Sequence, residues 1–323
     1  MGKIRISGFG KALPSNIVTN SQLSEMVETT DEWIVQRTGI RERRISDETT
    51  TELAVRAARA ALKNAGKVPE DIDLIICATT TPDNFVPSVA CMVQNHLGIN
   101  DKSVTAFDVN AACTGFIYAA KAAYSLLKAQ EHRCALVIGA ETLSRIIDFN
   151  DNNTCVLFGD GAGAIIMEKD ADYSEEIFFY TNSMGNDQFL CAKSAAMNTH
   201  MDNRQLIGEF LKMEGSEVFK FALKALGNSI EEILKISGDD IDDIKLIIPH
   251  QANYRIIYRV GRQMGIDREK FYINLQKYGN TAAASTAIAL CEAVEEGRLE
   301  KGDKVIAAAF GGGMTWGAAI FQI

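Results

Sequence analysis

An α/β fold made of two copies of one unit is predicted by three observations. First, apolar strand-like runs alternate with alanine- and leucine-rich stretches of helical spacing along the chain. That alternation belongs to a largely parallel sheet covered on both faces. Second, segments of the first half recur in order in the second. Glu70-Asp-Ile-Asp-Leu-Ile-Ile76 matches Asp242-Asp-Ile-Lys-Leu-Ile-Ile248 at a spacing of 172 residues, and Asn110-Ala-Ala-Cys113 matches Asn280-Thr-Ala-Ala283 at 170, both before an apolar helix. Third, Phe158-Gly-Asp-Gly161 has its counterpart in Phe310-Gly-Gly-Gly313, each followed by a closing strand. Duplication of one unit supplies such ordered matches. It divides the chain into residues 1–172 and 173–323, related by a pseudo-twofold axis that brings the helix starts at Cys113 and Asn280 together.

Taken in order, Ile4, Ile6 and Phe9 alternate with polar residues in a first strand, Pro14-Ser-Asn-Ile17 marks a loop, and a short helix follows from Ser21. Trp33 and four arginines (Arg37, Arg41, Arg43, Arg44) then fall within twelve residues, a grouping able to grip an anionic, aromatic ligand. Unaided, the stretch reads rather as a capped surface helix with Trp33 turned into the core. Ala54, Ala57, Ala58, Ala61 and Leu62 keep helical spacing and lead to the strand Leu74–Ala78. A polar loop to Pro87, a helix over Val89–Leu97, a strand before Asn110 and a helix over Ile117–Leu127 follow, then a strand over Ala135–Gly139. Phe158-Gly-Asp-Gly-Ala-Gly-Ala164 looks like a dinucleotide-binding loop, but its glycines lead into the strand Ile165–Met167 and not into a helix. They serve tight turns and close strand packing.

Composition excludes several classes. With 47% hydrophobic and 23% charged residues the chain is an ordinary globular protein, not a disordered one. No apolar run approaches the ~18 residues of a membrane span, and no signal-like segment opens the sequence, which points to the cytoplasm. Seven cysteines, odd in number and mostly within apolar runs, form neither a disulfide framework nor a zinc pattern. A net charge of −9 argues against general nucleic-acid binding.

Cys113 follows a strand and opens a helix, where unpaired N–H groups and the positive dipole end favour a thiolate nucleophile. Of four histidines, His250 is the one that ends a buried strand, where sites in open α/β sheets lie. His96 and His132 read as solvated, and His200 is undecided. Asn280 reads locally as an N-cap of a small-residue helix, but its correspondence with the Cys113 turn favours a functional role. A thiolate with two neutral donors suits acyl transfer, the donors stabilising an oxyanion or enolate. The run Gly311-Gly312-Gly313 offers a further backbone N–H beside the amide of Cys113, taken as that of Gly312. Nothing here demands a metal.

Six motifs in order carry a resemblance over nearly the whole chain: Thr30-Asp-Glu-Trp-Ile-Val-Gln-Arg-Thr-Gly-Ile-Arg-Glu-Arg43, Ala111-Ala-Cys-Thr-Gly-Phe116, Phe158-Gly-Asp-Gly-Ala-Gly-Ala164, Pro249-His-Gln-Ala-Asn253, Gly279-Asn-Thr-Ala-Ala-Ala-Ser285 and Phe310-Gly-Gly-Gly-Met-Thr-Trp-Gly317. They resemble β-ketoacyl-acyl carrier protein synthase III, the condensing enzyme that starts type II fatty acid synthesis. The resemblance implies a thiolase-like fold layered α-β-α-β-α, a homodimer, and no metal or bound organic cofactor. It implies that Cys113 takes an acyl group from acyl-CoA, and that His250 and Asn280 stabilise the carbanion equivalent formed when malonyl-acyl carrier protein loses CO2. The products are a 3-oxoacyl carrier protein, CO2 and CoA.

By the same resemblance Trp33 and Arg37 contact the nucleotide of CoA, and Gly215, Phe219 and Asn253 match pantetheine-channel positions. Gln251, Ala252, Asn253 and Tyr254, with Arg255, Arg259 and Arg262, match the carrier-protein docking region. The three arginines share helical spacing with no acid among them, a basic patch suited to an acidic partner.

Two departures from the family pattern stand out. Asn152 occupies the place of an arginine that stacks on adenine, which weakens the expected grip on CoA. Val86, where phenylalanine is common, would reach across the dimer to close the acyl pocket and leave room for primers longer than acetyl. A thiolase would need a second cysteine near the C-terminal glycines, and a plant-type polyketide synthase lacks the Trp33–Arg43 motif. A relative serving a secondary pathway with another acceptor, an inactive acyl-binding scaffold and a Cys–His hydrolase are the remaining alternatives.

Overall fold

The computed structural model describes residues 3–129, 132–192 and 210–323; His200 lies outside them. The first stretch runs β1 (Lys3–Ala12), β2 (Ile17–Thr19), α1 (Asn20–Ser24), α2 (Asp31–Thr38), β3 (Glu42–Arg44) and α3 (Thr50–Ala65). It continues through β4 (Leu74–Ala78), α4 (Val89–Leu97), β5 (Thr105–Val109), α5 (Gly115–Lys128), β6 (Cys134–Thr142) and β7 (Asp160–Asp170). The second holds β8 (Phe178–Asn186), β9 (Leu190–Cys191), β10 (Lys212–Met213), α6 (Gly215–Ser237), β11 (Ile244–Pro249) and α7 (Tyr254–Met264). Then come α8 (Leu275–Tyr278), α9 (Ala283–Glu295), β12 (Lys304–Gly311) and β13 (Gly313–Gln322).

Two sheets carry the architecture, one ordered β1-β7-β6-β4-β5 and the other β11-β12-β13-β8. Both are mixed and not largely parallel: β4 is parallel to β5 and β6, whereas β7 is antiparallel to β6 and β1. In the second sheet only the β11–β12 pair is parallel. The connections explain the difference. A parallel pair needs a crossover, and α4 and α5 supply one on either side of β5; β6 to β7 and β12 to β13 have no such helix and turn back.

Helices α3 and α4 cover the outer face of the first sheet, α5 and α9 lie between the sheets, and α6 covers the outer face of the second. The layers are therefore α-β-α-β-α. The alanine-rich sequence of α3 makes the close packing possible. A Cβ on Gly10 of β1 would lie 2.2 Å from the Ala61 nitrogen, so helix and strand are in backbone contact. Thr49 and Glu52 form a capping box that starts α3, and Gly66 with φ +64° ends it.

Gly161 and Gly163 lie inside β7 and not in a turn before it. Their role is close approach, since a Cβ on Gly163 would fall 2.6 Å from that of Ala287 on α9. Among the described residues, no helix is long and apolar enough to cross a membrane. All seven cysteines are free.

Candidate active site

Cys113 stands in a 3-10 turn, Ala112–Thr114, that runs directly into α5 between the two sheets. The residue before it, Ala112, has φ +48°; Ala282, before α9, has φ +40°. Two alanines thus hold a left-handed backbone, strained for L-residues, at equivalent positions of the two inner helices. Helix α9 begins at Ala283, so Asn280 is not its N-cap. Instead Asn280 is clamped to the segment before β7: its N–H donates to Leu157 O at 2.8 Å, and Gly159 N–H donates to Asn280 O at 3.0 Å. Its side-chain Oδ1 accepts from Ala282 N–H at 2.9 Å, which turns the NH2 group outward as a donor.

His250 follows the last residue of β11, and its N–H donates to Ala308 O at 2.7 Å. The ring packs edge-on against Phe310 at 5.3 Å, and Nδ1 lies 2.6 Å from Ser285 Oγ. Burial pulls the imidazole down to about 3, so it is neutral. Cys113, His250 and Asn280 line one narrow channel of about 90 Å³, together with Gly215, Phe219, Ala252 and Asn253. Cys113 also lines a second cavity of about 650 Å³ with Leu143, Ile146, Cys191 and Gly312. It therefore sits where a channel to the histidine and amide meets a roomy, partly apolar chamber.

Burial pushes the Cys113 thiol up to about 12, with buried Glu141 adding to the rise and its own backbone N–H opposing it. The helix start favours a thiolate, and desolvation of the buried sulfur opposes it. Glu141, itself raised to about 7 by burial, accepts from Thr81 Oγ1 at 2.6 Å and from Thr80 N–H at 3.1 Å. Iodoacetamide alkylation of Cys113, followed by peptide mass spectrometry, is expected to accelerate about tenfold per pH unit from 7 to 10, because only the thiolate reacts. A plateau below pH 9 would show that the helix terminus prevails.

The glycine loop leans on Cys113. A Cβ on Gly311 would fall 2.6 Å from Cys113 N. Thr315 Oγ1 lies 3.0 Å from Ala111 O, 3.0 Å from Thr114 Oγ1 and 3.1 Å from Gly312 O, while Thr114 Oγ1 donates to Thr315 O at 3.2 Å. The sequence assigned no part to Thr315 or Glu141; Thr315 is a polar residue within the last glycine motif, and Glu141 one near the end of a buried strand.

On α2, Trp33 is 38% exposed and stacks under Arg37 at 5.4 Å, so it is not turned into the core. The four arginines near it do not act as one cluster. Arg43 is fully buried, donating to Val18 O at 3.1 Å and Val156 O at 2.8 Å, and Arg44 pairs with Glu42 at 2.9 Å. Asn152 donates to Glu28 O, in the loop before α2, at 3.2 Å. Asn253 caps α7, accepting from Arg255 N–H at 2.8 Å, and donates to Arg37 O at 3.0 Å, tying the Trp33 helix to the histidine loop.

Arg255, Arg259 and Arg262 are exposed on α7 and border a shallow depression with Phe219, Tyr254 and Tyr258. Gln251 does not belong to that surface. It is 1% exposed, and its amide is spent on Pro249 O, Tyr272 O and the N–H groups of Asn274 and Leu275, so it braces the loop from within. Val86 is 84% exposed and is not among the described residues of either cavity wall. His96 is exposed at the end of α4, and His132 lies 3.9 Å from Asp73. Among the described residues, no group of three or more His, Cys, Asp or Glu could hold a metal.

A buried cysteine at an inner helix start, facing a neutral histidine and an amide donor in an α-β-α-β-α frame, defines a thiolase-like condensing enzyme, an acyltransferase. Models of 3-oxoacyl-[acyl-carrier-protein] synthase III match residues 107–185 and, for its C-terminal part, 234–323. A β-ketoacyl-[acyl-carrier-protein] synthase III of Clostridium perfringens is 50% identical over 100% of both chains. The chain belongs to the β-ketoacyl-[acyl-carrier-protein] synthase III family. The crystal structure of the Aquifex aeolicus synthase III superposes with a TM-score of 0.91 at 44% identity, over 99% of this chain and 100% of that one. The priming β-ketosynthase of the R1128 polyketide pathway superposes with a TM-score of 0.93 at 30% identity, over 100% and 96%.

Proposed function

We propose that the protein primes fatty acid synthesis: Cys113 takes an acyl group from acyl-CoA, and the acyl-enzyme then condenses with malonyl-acyl carrier protein. The observation that carries this reading is the convergence of Cys113, His250 and Asn280 on one channel, with a chamber for the acyl chain on the other side of the sulfur. Cys113 gives up its thiol proton and its sulfur attacks the acyl-CoA carbonyl; the carbon–sulfur bond to CoA breaks, and the departing CoA thiolate takes up one proton, so the acyl group is left as a thioester on Cys113. Loss of CO2 from the malonyl group leaves an enolate oxygen that His250 and the Asn280 amide stabilise as neutral donors. Its carbon attacks the acyl-Cys113 carbonyl, whose developing oxyanion meets the N–H groups of Cys113 and Gly312; collapse frees the sulfur and releases the 3-oxoacyl carrier protein.

The reaction draws on no cofactor or metal. The pantetheine arm runs past Gly215, Phe219 and Asn253, the nucleotide rests on Trp33 and Arg37, and the acidic carrier docks on Arg255, Arg259 and Arg262 beside Ala252 and Tyr254. The patch supports this docking, since among the described residues none of the three arginines has a carboxylate partner. The division into units 1–172 and 173–323 is supported by the two sheets, whose strands come from residues 3–170 and 178–322. We further read the enzyme as a cytoplasmic homodimer. The open β5 edge of the first sheet and the exposed Phe85–Val86 loop support the dimer, with Val86 closing the partner's chamber and admitting primers longer than acetyl.

Intact-protein mass spectrometry with a panel of acyl-CoAs, followed by malonyl-acyl carrier protein, tests this reading. Acyl mass is expected on Cys113 and then a 3-oxoacyl mass on the carrier, with the preferred primer named by the panel. Acylation without transfer would refute the acceptor. Asn152→Arg is expected to lower the KM for acyl-CoA about two- to thirtyfold by restoring a stacking cation worth ~0.5–2 kcal/mol. An unchanged KM would mean the adenine does not lie at this position.

A further inference from the structure

We propose that Ser285 is the positioning residue that fixes the tautomer of His250, keeping the proton on Nε2. The inference rests on the condensing role given to His250 above, and no motif reading assigned Ser285 any part in it. Ser285 lies on α9, one turn past Ala282, and is 2% exposed; His250 is 1% exposed. Its Oγ is 2.6 Å from His250 Nδ1 and accepts from Gln251 N–H at 3.2 Å.

Hydrogen accounting settles the direction of the short contact. A serine hydroxyl has one hydrogen to give and two lone pairs. The Gln251 N–H occupies one lone pair, and the hydroxyl hydrogen, buried from water, needs an acceptor. Among the described residues, Nδ1 is the only partner at hydrogen-bonding distance that can accept it. A protonated Nδ1 would put two donors on one oxygen and leave the hydroxyl hydrogen unpaired, at a cost of roughly 1–3 kcal/mol. Nδ1 is therefore the bare nitrogen, and the neutral ring carries its proton on Nε2, the nitrogen away from Ser285.

The consequence is chemical. With the other tautomer Nε2 would offer a lone pair to the enolate oxygen, repelling the charge that His250 is there to stabilise. The backbone fixes the arrangement as well: Ser285 belongs to the helix that follows Asn280, and Gln251 is locked by its own buried amide. One hydroxyl thus ties both donors of the site to a common frame.

The test is the nitrogen-15 spectrum of histidine-labelled, substrate-free protein, with His250→Gln identifying the resonance. Wild type is expected to show protonated Nε2 and bare Nδ1 between pH 6 and 8. Ser285→Ala is expected to show a Nδ1-protonated population and a condensation kcat about tenfold or more lower, with acylation of Cys113 affected far less; Ser285→Thr, which keeps the hydroxyl, should restore both. A Nδ1-protonated His250 in wild type would overturn the proposal, as would an unaltered tautomer or an unaltered condensation kcat in Ser285→Ala. The spectrum needs no substrate, so a wild-type protein that fails to condense would refute the proposed function and leave this inference to be judged on the tautomer alone.

Discussion

Replacing His250 with alanine is expected to lower condensation with malonyl-acyl carrier protein by about 10²–10³-fold, while Cys113 still takes an acyl group from acyl-CoA. The magnitude is that of removing one preorganised donor from a charge that develops in a dry site. The separation of steps follows from the neutral ring. Burial holds His250 at about 3, so it is a poor base for the Cys113 thiol and a good hydrogen-bond donor. Cys113→Ala is expected to show the converse, with no acyl mass gained but decarboxylation of malonyl carrier protein retained, because that step needs only His250 and Asn280. Single-turnover acylation followed by mass spectrometry, beside a decarboxylation assay, reads both. Equal loss of acylation in His250→Ala would instead assign the histidine to proton removal from sulfur.

Gly311→Ala is expected to be comparably damaging by a steric route. The added methyl would sit 2.6 Å from Cys113 N and 3.0 Å from Cys113 Cβ, closer than side-chain carbons come to such atoms, so the nucleophile turn or the glycine loop must move. Thr315 resists that movement because its one hydroxyl hydrogen has Ala111 O and Gly312 O within reach, at 3.0 and 3.1 Å. Acylation and condensation should both fall by about 100-fold, since a shift of ~1 Å at a reacting group costs on that order. Stability should fall by roughly 1–3 kcal/mol, the usual cost of overpacking. Gly163→Ala is the comparison: its methyl would meet Ala287 at 2.6 Å, between β7 and α9, away from the sulfur. Denaturant unfolding should show a loss of similar size there, whereas kcat should change far less. Full activity in Gly311→Ala would mean the loop can retreat without moving the oxyanion donor.

Much of the frame was legible in the chain because it depends on near neighbours. The strand at Leu74 is an unbroken apolar run and the one at Ile244 is broken only by Lys245; the helices at Thr50, Val89 and Gly115 carry apolar spacing, and the first two also carry N-caps, signals that any stretch of the same composition would share. Sheet direction was less legible. It depends on whether the connection crosses over, and the segment between Thr142 and Asp160 has no helical period to show that it turns back. Gln251 and Arg43 were misjudged for a related reason. A polar side chain beside a functional motif looks like a contact residue until the backbone carbonyls that bury and satisfy it are brought in from distant segments.

The sequence alone singled out the groups proposed to react: a cysteine at a helix start, a histidine after a buried strand, and an asparagine at the matching turn of a repeated unit. Side-chain chemistry and local periodicity are properties of the chain itself. Only the tertiary structure decided their states, raising the Cys113 thiol to about 12, holding His250 neutral and aiming the Asn280 amide at the channel. The physical reason is that desolvation and hydrogen-bond direction are set by every atom around a group, and most of those atoms come from residues far away in sequence.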